Sequence, residues 1–139
     1  MALDLSSLKK AIASLGKALK VASPDKLDDM SEDQQEVIKA GVIQNFEFTY
    51  ELCWKFMKRW LEKNMGVVDV DGVTRRELFR LSAKSKLILD VDQWMEYHDA
   101  RNETSHSYDQ DAADEIFQVS KNFFPDSMKF LQAIEEKND

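Results

Sequence analysis

One short stretch of the chain gathers side chains that are able to handle a phosphate group. It contains both histidines of the sequence. On a helix, four of its polar residues share one face, at positions i, i+3, i+4 and i+7: His98, Arg101, Asn102 and Ser105. Arginine presents a planar fork that binds two phosphate oxygens, and a histidine with a pKa near neutrality can take a proton from a ribose 2′-hydroxyl or return one to a leaving oxygen. These residue types predict phosphate chemistry that needs no metal.

Two further residues extend this stretch. His106 lies four residues beyond Asn102 and can continue the polar face at the end of the helix, and Tyr108 follows in the turn. A second copy of the chain would supply the additional acid or base that one histidine cannot provide. The same residues also have a structural interpretation, because cationic side chains are common at helix C-termini, where they interact favourably with the helix dipole. The spacing alone leaves both interpretations open.

Other catalytic and metal-binding patterns are absent from the sequence. There is no phosphate-cradling glycine loop, no HExxH motif and no Ser-His-Asp or Cys-His arrangement. Asp69 and Asp71 precede Gly72 as in a calcium loop, but the remaining oxygen ligands are missing. We therefore expect no metal and no cofactor.

The composition predicts one mostly helical domain that spans residues 1–139. Hydrophobic residues make up 43% and charged residues 32% of the chain, whereas there are only 4 Gly and 2 Pro. An all-β domain would need more turn residues. Cys53 is the only cysteine, so no intrachain disulfide can form, and no run reaches the roughly 18 apolar residues of a membrane span. We expect a cytoplasmic protein with no membrane association.

The charge is distributed unevenly. The net charge is −7, which argues against broad electrostatic coating of nucleic acid. Residues 74–87, however, carry five basic side chains against Glu77 alone. A basic segment on an acidic protein is typical of one defined anionic partner or phosphate group, although a solvated helix face is an equal alternative.

Hydrophobic periodicity predicts the helices that must position these residues. A first helix runs from about Leu3 to Val21 and stops before Pro24. The acidic residues 25–36 are interpreted as a loop that leads into a long second helix, which begins at Ser31 or Gln34 and ends near Lys63. Residues 64–73 are interpreted as a second loop.

Three more helices follow. Thr74 is predicted to cap a short basic helix that ends near Lys84, and Asp90 to cap the helix that carries the histidines and ends near His106. A last helix begins near Asp109 and is expected to kink at Pro125. The predicted fold class is all-α, an antiparallel up-and-down four-helix bundle with one additional short helix.

The second helix has an unusually wide apolar face. At 100° per residue its apolar side chains cover an arc of about 200°, wider than the face of a helix that packs on one side only. The helix is therefore either central, with neighbours on two sides, or part of a subunit interface. Because Trp54, Phe56 and Trp60 are not expected to fit together in one small core, we predict a homodimer through this face.

Two segments together resemble a known protein family. Residues 101–108, Arg-Asn-Glu-Thr-Ser-His-Ser-Tyr, form an R-x4-H-x-Y motif of the HEPN superfamily. Residues 43–55, IQNFEFTYELCWK, are similar to the signature helix of nucleotidyltransferase substrate-binding proteins. HepT-like toxins belong to the same superfamily, and the order of helices matches over roughly residues 5–135. One departure is Lys86 before Leu87 and Ile88, where many members have glycine.

The resemblance implies a helical bundle that dimerises and is encoded beside a small nucleotidyltransferase. One implied role is a subunit that presents substrate to this enzyme or docks with it, with nucleotide or RNA as ligand and Arg101, Asn102, His106 and Tyr108 as binding residues. The alternative role is a metal-independent endoribonuclease toxin with Arg101 and His106 as its catalytic pair. In that toxin–antitoxin interpretation, the nucleotidyltransferase neutralises the toxin by transferring AMP to Tyr108. A third interpretation, from another class, is a purely structural dimeric bundle.

Overall fold

The computed structural model describes residues 2–139, apart from the side chain of Val68. The ordered elements of this part of the chain are α1 (Ser6–Val21), α2 (Pro24–Asp28), α3 (Glu32–Met65), α4 (Val67–Val70), α5 (Arg75–Lys84), α6 (Val91–Glu103), a 3₁₀ turn (Thr104–His106) and α7 (Gln110–Glu136). Residues 2–139 contain no strand. The all-α fold class is confirmed.

The four long helices run alternately up and down. Ser14 of α1 donates to Asn45 of α3, whereas Thr49, further along α3, donates to the carbonyl of Ala11, so α1 and α3 are antiparallel. The ring pairs Trp94–Phe130 and Tyr97–Phe123 likewise show that α6 and α7 are antiparallel. The antiparallel four-helix bundle with α5 as an additional helix is therefore as predicted.

Polar side chains fix where the helices begin. Ser31 and Gln34 form a reciprocal capping box at the start of α3, in which each side chain accepts from the other residue's backbone N–H. Thr74, Asp90 and Asp109 accept backbone N–H groups at the starts of α5, α6 and α7. The predicted caps are thus present.

The core centres on α3, which packs against α1, α5, α6 and α7. An aromatic cluster joins three of these helices. The ring of Phe123 lies edge-on to Phe46 at 5.1 Å, to Tyr97 at 5.0 Å and to Trp94 at 5.7 Å. These contacts hold α6 against α3 and α7, and so fix the helix that carries the R-x4-H motif.

The expectation that Trp54, Phe56 and Trp60 do not fit together in one small core is wrong. Phe56 is 1% exposed and Trp60 9% exposed within one copy of the chain, and Trp54 is half-buried beneath Arg75. The wide apolar arc is instead explained by the position of α3 between helices on both sides. That was the first of the two explanations the sequence left open.

Both predicted loops contain a short helix. Pro24 occupies the first turn of α2, where a missing N–H costs nothing, and Leu27 is buried. In the second loop α3 continues to Met65, and α4 places Val70 in the core. Apolar anchors so brief give no periodic signal in the sequence.

Pro125 lies inside α7, which remains one helix from Gln110 to Glu136. At the end of this helix, the side chain of Asn138 accepts from the N–H of Leu3 at 2.8 Å and donates to the Leu3 carbonyl at 2.9 Å. The start of α1 is thereby held beside the end of α7. None of the described helices is both long enough and apolar enough to cross a bilayer.

Candidate phosphate-binding site at the end of α6

The end of α6 determines how the motif residues are presented. The α-helix ends at Glu103, and Thr104–His106 form a tighter 3₁₀ turn that leads to the Asp109 cap of α7. Arg101 and Asn102 therefore lie on the last helical turn, whereas His106 belongs to the connection. His106 does not continue the regular face that the spacing predicted, because the helical register changes after Glu103.

Arg101 is held in place by two neighbours. Its Nε donates to Oε1 of Glu51 on α3 at 3.1 Å, and its Nη1 donates to Oγ1 of Thr104 at 3.4 Å. The Arg101 and Glu51 side chains are about one-third exposed, at 30% and 31%. Because the pair is open to solvent, the guanidinium is oriented without being withdrawn from the surface.

Glu51 is engaged on both oxygens. Its Oε2 accepts from Nε1 of Trp54 at 3.1 Å, while Oε1 accepts from Arg101. The carboxylate therefore neutralises one guanidinium and orients an indole at the same time. The sequence did not single out Glu51 for such a role, because fifty residues separate it from Arg101.

His98 lies between α3 and the surface. Its Nδ1 is 2.9 Å from the hydroxyl of Tyr50, and its Nε2 is 3.4 Å from the side-chain amide of Asn102. Desolvation lowers the pKa of His98, and the positive charge of Arg75 lowers it further. The ring therefore favours its neutral form more strongly than a free histidine does.

Tyr50 stays protonated at neutral pH because burial raises the pKa of its hydroxyl. It can therefore donate to Nδ1 of His98, which leaves the proton of the neutral ring on Nε2. That nitrogen faces Asn102, whose amide can accept or donate according to its orientation. The sequence placed His98 and Asn102 on one face but gave no indication that Tyr50 lies behind them.

Arg75, the first residue of α5, completes this side of the site. Its guanidinium lies over the ring of Trp54, 3.6 Å from the ring centroid. Its Nη1 is buried and has no hydrogen-bond partner among residues 2–139. The only sequence signal for Arg75 was the basic segment 74–87, which did not distinguish it from the other four basic residues there.

His106 and Tyr108 form a separate, exposed part of the motif. Their rings meet edge to face at 6.2 Å, and the Tyr108 side chain is 86% exposed. Tyr108 borders a groove of about 270 Å³ that is lined by both α3 and the start of α7. Lys39 on the wall of this groove pairs with Asp114 at 3.5 Å.

The structure therefore divides the predicted site residues into two groups. Arg101 and Asn102 adjoin the cluster of Tyr50, Arg75 and His98, whereas His106 and Tyr108 lie in the connection to α7. Within the part of the chain that the structure describes, no hydrogen bond or ion pair joins Arg101 to His106. The described residues also contain no group of three or more His, Cys, Asp or Glu side chains placed to hold a metal.

Comparisons with known proteins agree with this fold. A Haemophilus influenzae protein, HI0074, described as revealing the fold of a substrate binding domain of a nucleotidyltransferase, superimposes with a TM-score of 0.89 and is 31% identical. The match covers 95% of this chain and 99% of that one. A protein from Thermus thermophilus is 25% identical with a TM-score of 0.72, over 91% of this chain and 98% of that one. The helical bundle is thus shared with the solved HI0074 structure, which is also all-helical.

The sequence comparisons define the family. The model of "Nucleotidyltransferase substrate binding protein like" proteins matches residues 3–136. A relative named "Probable ribonuclease HepT" from Haemophilus influenzae (strain ATCC 51907 / DSM 11121 / KW20 / Rd) is 33% identical over 138 residues, which cover 98% of this chain and 94% of the relative. The chain belongs to the family of nucleotidyltransferase substrate-binding-like proteins, and the resemblance first based on residues 43–55 and 101–108 is confirmed.

Proposed function

We propose that this protein is the substrate-binding subunit of a small nucleotidyltransferase encoded beside it, with which it docks as a cytoplasmic complex. The observation that carries the proposal is the presentation of Arg101, which Glu51 orients at 3.1 Å while the side chain keeps solvent access beside Asn102. An oriented, accessible guanidinium suits the recognition of a phosphate-bearing ligand. The family match over residues 3–136 supports the nucleotidyltransferase as partner. The single cysteine, Cys53, is compatible with a reducing compartment.

The experiment is co-expression with the neighbouring nucleotidyltransferase, with an affinity tag on that enzyme alone. We expect the two proteins to co-purify at a fixed ratio. The complex should bind nucleotide more tightly than the nucleotidyltransferase does by itself, and Arg101→Ala should lose most of this gain while retaining the complex. Recovery of the nucleotidyltransferase without this protein contradicts the proposal.

A second candidate function is a metal-independent endoribonuclease. The relative named a probable ribonuclease and the intact R-x4-H-x-Y motif favour it. In this role Arg101 would neutralise charge on the phosphorus and His106 would move a proton. Expression of the protein alone should then arrest growth, and Arg101→Ala or His106→Ala should each relieve the arrest at equal protein level.

Tyr108 is the proposed acceptor of AMP in the toxin–antitoxin form of this function. Its 86% exposure and its position in a turn support access by a second protein's active site. The hydroxyl oxygen would attack the α-phosphorus of ATP, release pyrophosphate and lose its proton, which adds an AMP group next to His106. Incubation with the nucleotidyltransferase, ATP and magnesium should add an AMP mass to the wild type and none to Tyr108→Phe.

A homodimer is part of the proposal, on a different surface from the one the sequence indicated. Val37 and Phe48 on α3 remain 70% and 66% exposed. They are eleven residues apart, which places them within about 20° of each other around the helix. The groove beside Phe48 is largely apolar and has a volume of about 550 Å³. Exposed apolar side chains of this size on the outside of α3 favour contact with a second copy.

A further inference from the structure

Arg75 has a buried nitrogen without a hydrogen-bond partner in a cluster that is otherwise well paired. Glu51 is the carboxylate of this cluster, and both of its oxygens are occupied, by Arg101 and by Trp54. Arg75 makes no ion pair within residues 2–139, and its buried Nη1 makes no hydrogen bond there. A buried donor on a charged group is costly to leave unsatisfied.

The groups around Arg75 include the hydroxyl of Tyr50, which interacts with its guanidinium, and the ring of His98. Tyr50 and His98 lie close enough for the charge of Arg75 to lower the pKa of each of them. On its other side, the ring of His98 lies beside the side-chain amide of Asn102, which is exposed to solvent. The polar groups of the cluster thus extend from the neighbourhood of Arg75 to the exposed Asn102.

The unpaired nitrogen of Arg75 selects the chemistry of a ligand. Arg75 and Arg101 contribute two positive charges, and Glu51 and Asp99 contribute two negative ones. Both oxygens of Glu51 are already occupied, and Nη1 of Arg75 is left without an acceptor among residues 2–139. An arginine that stacks on an indole keeps its edge nitrogens available for a planar or tetrahedral oxyanion. A phosphate group has enough acceptor oxygens to accept from Arg75, from the protonated Nε2 of His98 and from Asn102 together.

We infer that Arg75, His98 and Asn102 form a phosphate-binding subsite, backed by Tyr50 and Trp54, that takes the phosphate of a nucleotide or of a nucleic-acid backbone. The subsite lies on the α5 side of Arg101 and includes neither His106 nor Tyr108. It rests on the proposed function only in that its ligand would be part of the substrate that the protein presents. The subsite is tested with the protein alone, so a negative result would leave the outcome of the co-purification experiment unaffected.

The test is an NMR titration of the His98 ring together with calorimetry, with AMP as the probe and adenosine as the control without phosphate. The bound anion should raise the pKa of His98, because it offsets the charge of Arg75. The other charged groups that act on this ring are Glu51, Asp99 and Arg101, and they are unchanged in the experiment. Adenosine should leave the pKa unchanged.

Arg75→Gln should weaken AMP binding by about tenfold or more, as expected for the loss of a charge-assisted hydrogen bond. Arg80→Gln is the matched control, since Arg80 lies exposed on the same helix and pairs with Glu77 at 3.7 Å. If Arg75→Gln fails to fold, Arg75→Lys keeps the charge and removes the fork, and it should still bind more weakly than wild type. An Arg75 variant that is folded and binds AMP as tightly as Arg80→Gln overturns the inference, as does an equal response to AMP and adenosine.

The dinucleotide ApA distinguishes the two sources of phosphate. Its phosphodiester carries one negative charge and lacks the terminal oxygens of AMP. Tighter binding of ApA than of AMP would identify the subsite with a nucleic-acid backbone, whereas preference for AMP would identify it with free nucleotides. Loss of either interaction in Arg75→Gln supports the subsite, and no measurable binding of AMP, ApA or inorganic phosphate overturns it.

Discussion

The surroundings of His98 favour the neutral form of its ring. Its ring lies against Tyr50 on the buried side and meets Asn102 on the open side. Arg75 adds a positive charge nearby, and this charge opposes a second one on the ring. A side chain kept neutral in this way can donate a hydrogen bond at neutral pH without adding charge to the site.

The lowered pKa of His98 predicts a loss of stability in mild acid. As pH falls through about 6.5, the unfolded chain takes up this proton more readily than the folded protein, so the free energy of unfolding decreases. His98→Gln should reduce the difference in unfolding free energy between pH 7.5 and pH 5.5, measured by urea denaturation. His106→Gln is the control on the exposed histidine. An unchanged pH dependence in His98→Gln contradicts the prediction.

Arg101→Ala should separate binding from stability. The Arg101–Glu51 pair is about one-third exposed, and exposed pairs of this kind contribute at most about 1 kcal/mol. We expect a change of that size in the free energy of unfolding, together with a marked loss of ligand affinity. Arg76→Ala is the control, since Arg76 pairs with Asp92 at 3.1 Å on the surface. A loss of several kcal/mol in Arg101→Ala would favour the purely structural interpretation.

Among the elements, the long helices were the ones that the sequence predicted well. α3 and α7 each repeat an apolar face over many turns, and Ser31, Thr74, Asp90 and Asp109 are strong caps. α2 and α4 were missed because helices of five and four residues, anchored by Leu27 and by Val70, are too short to produce a period. Apolar periodicity and capping residues were therefore sufficient to predict long helices, but not helices of one turn.

The contacts between elements could not be predicted in the same way. Tyr50 contacts His98, which lies 48 residues further along the chain. Arg75 stacks on Trp54, and these two residues are 21 positions apart in the sequence. Hydrophobic periodicity specifies which face of a helix is buried but not which neighbour covers it. The polar face of α6 was therefore predictable, whereas the residues behind it and the burial of Trp60 required the structure.

Two glycines at helix positions provide a matched test of helix packing. A Cβ on Gly41 would meet nothing within 4 Å, whereas a Cβ on Gly16 would lie 2.9 Å from the ring of Phe124 on α7. Gly41→Ala should therefore stabilise the protein by about 0.5–1 kcal/mol through helix propensity. Gly16→Ala should fall short of this gain, because the Phe124 ring must move. Equal gains in urea denaturation would show that α1 and α7 are not in close contact there.

The aromatic cluster at the centre of the bundle predicts a large effect from one residue. Phe123 is fully buried and packs edge-on against rings from α3 and α6. Phe123→Ala should lower the free energy of unfolding by about 3–5 kcal/mol. Leu89→Ala, at a position 86% exposed, should change it by under about 0.5 kcal/mol. A small effect at Phe123 would mean that the three helices do not meet in one core.

At the scale of the whole molecule, the proposed homodimer depends on the outer face of α3. Light scattering of the wild type should give about twice the 16.1 kDa of one chain at micromolar concentration. Phe48→Glu should shift the mass to that of a monomer, because it places a charge on the exposed apolar surface around position 48. Leu89→Glu, at another exposed apolar position, should leave the dimer intact. A monomeric wild type would contradict the proposal.

The hydrogen bonds between Leu3 and Asn138 also determine how the molecule can be attached to a surface. They bring residues 3 and 138 together at the end of α7 that lies farthest from Tyr108. A 27-residue helix is about 40 Å long, so nearly the full length of the bundle separates the two places. Immobilisation through either residue 3 or residue 138 would therefore give the same orientation, with Tyr108 directed away from the support. A sensor chip prepared in this way would report encounters at the Tyr108 end of the bundle without obstruction from the tether.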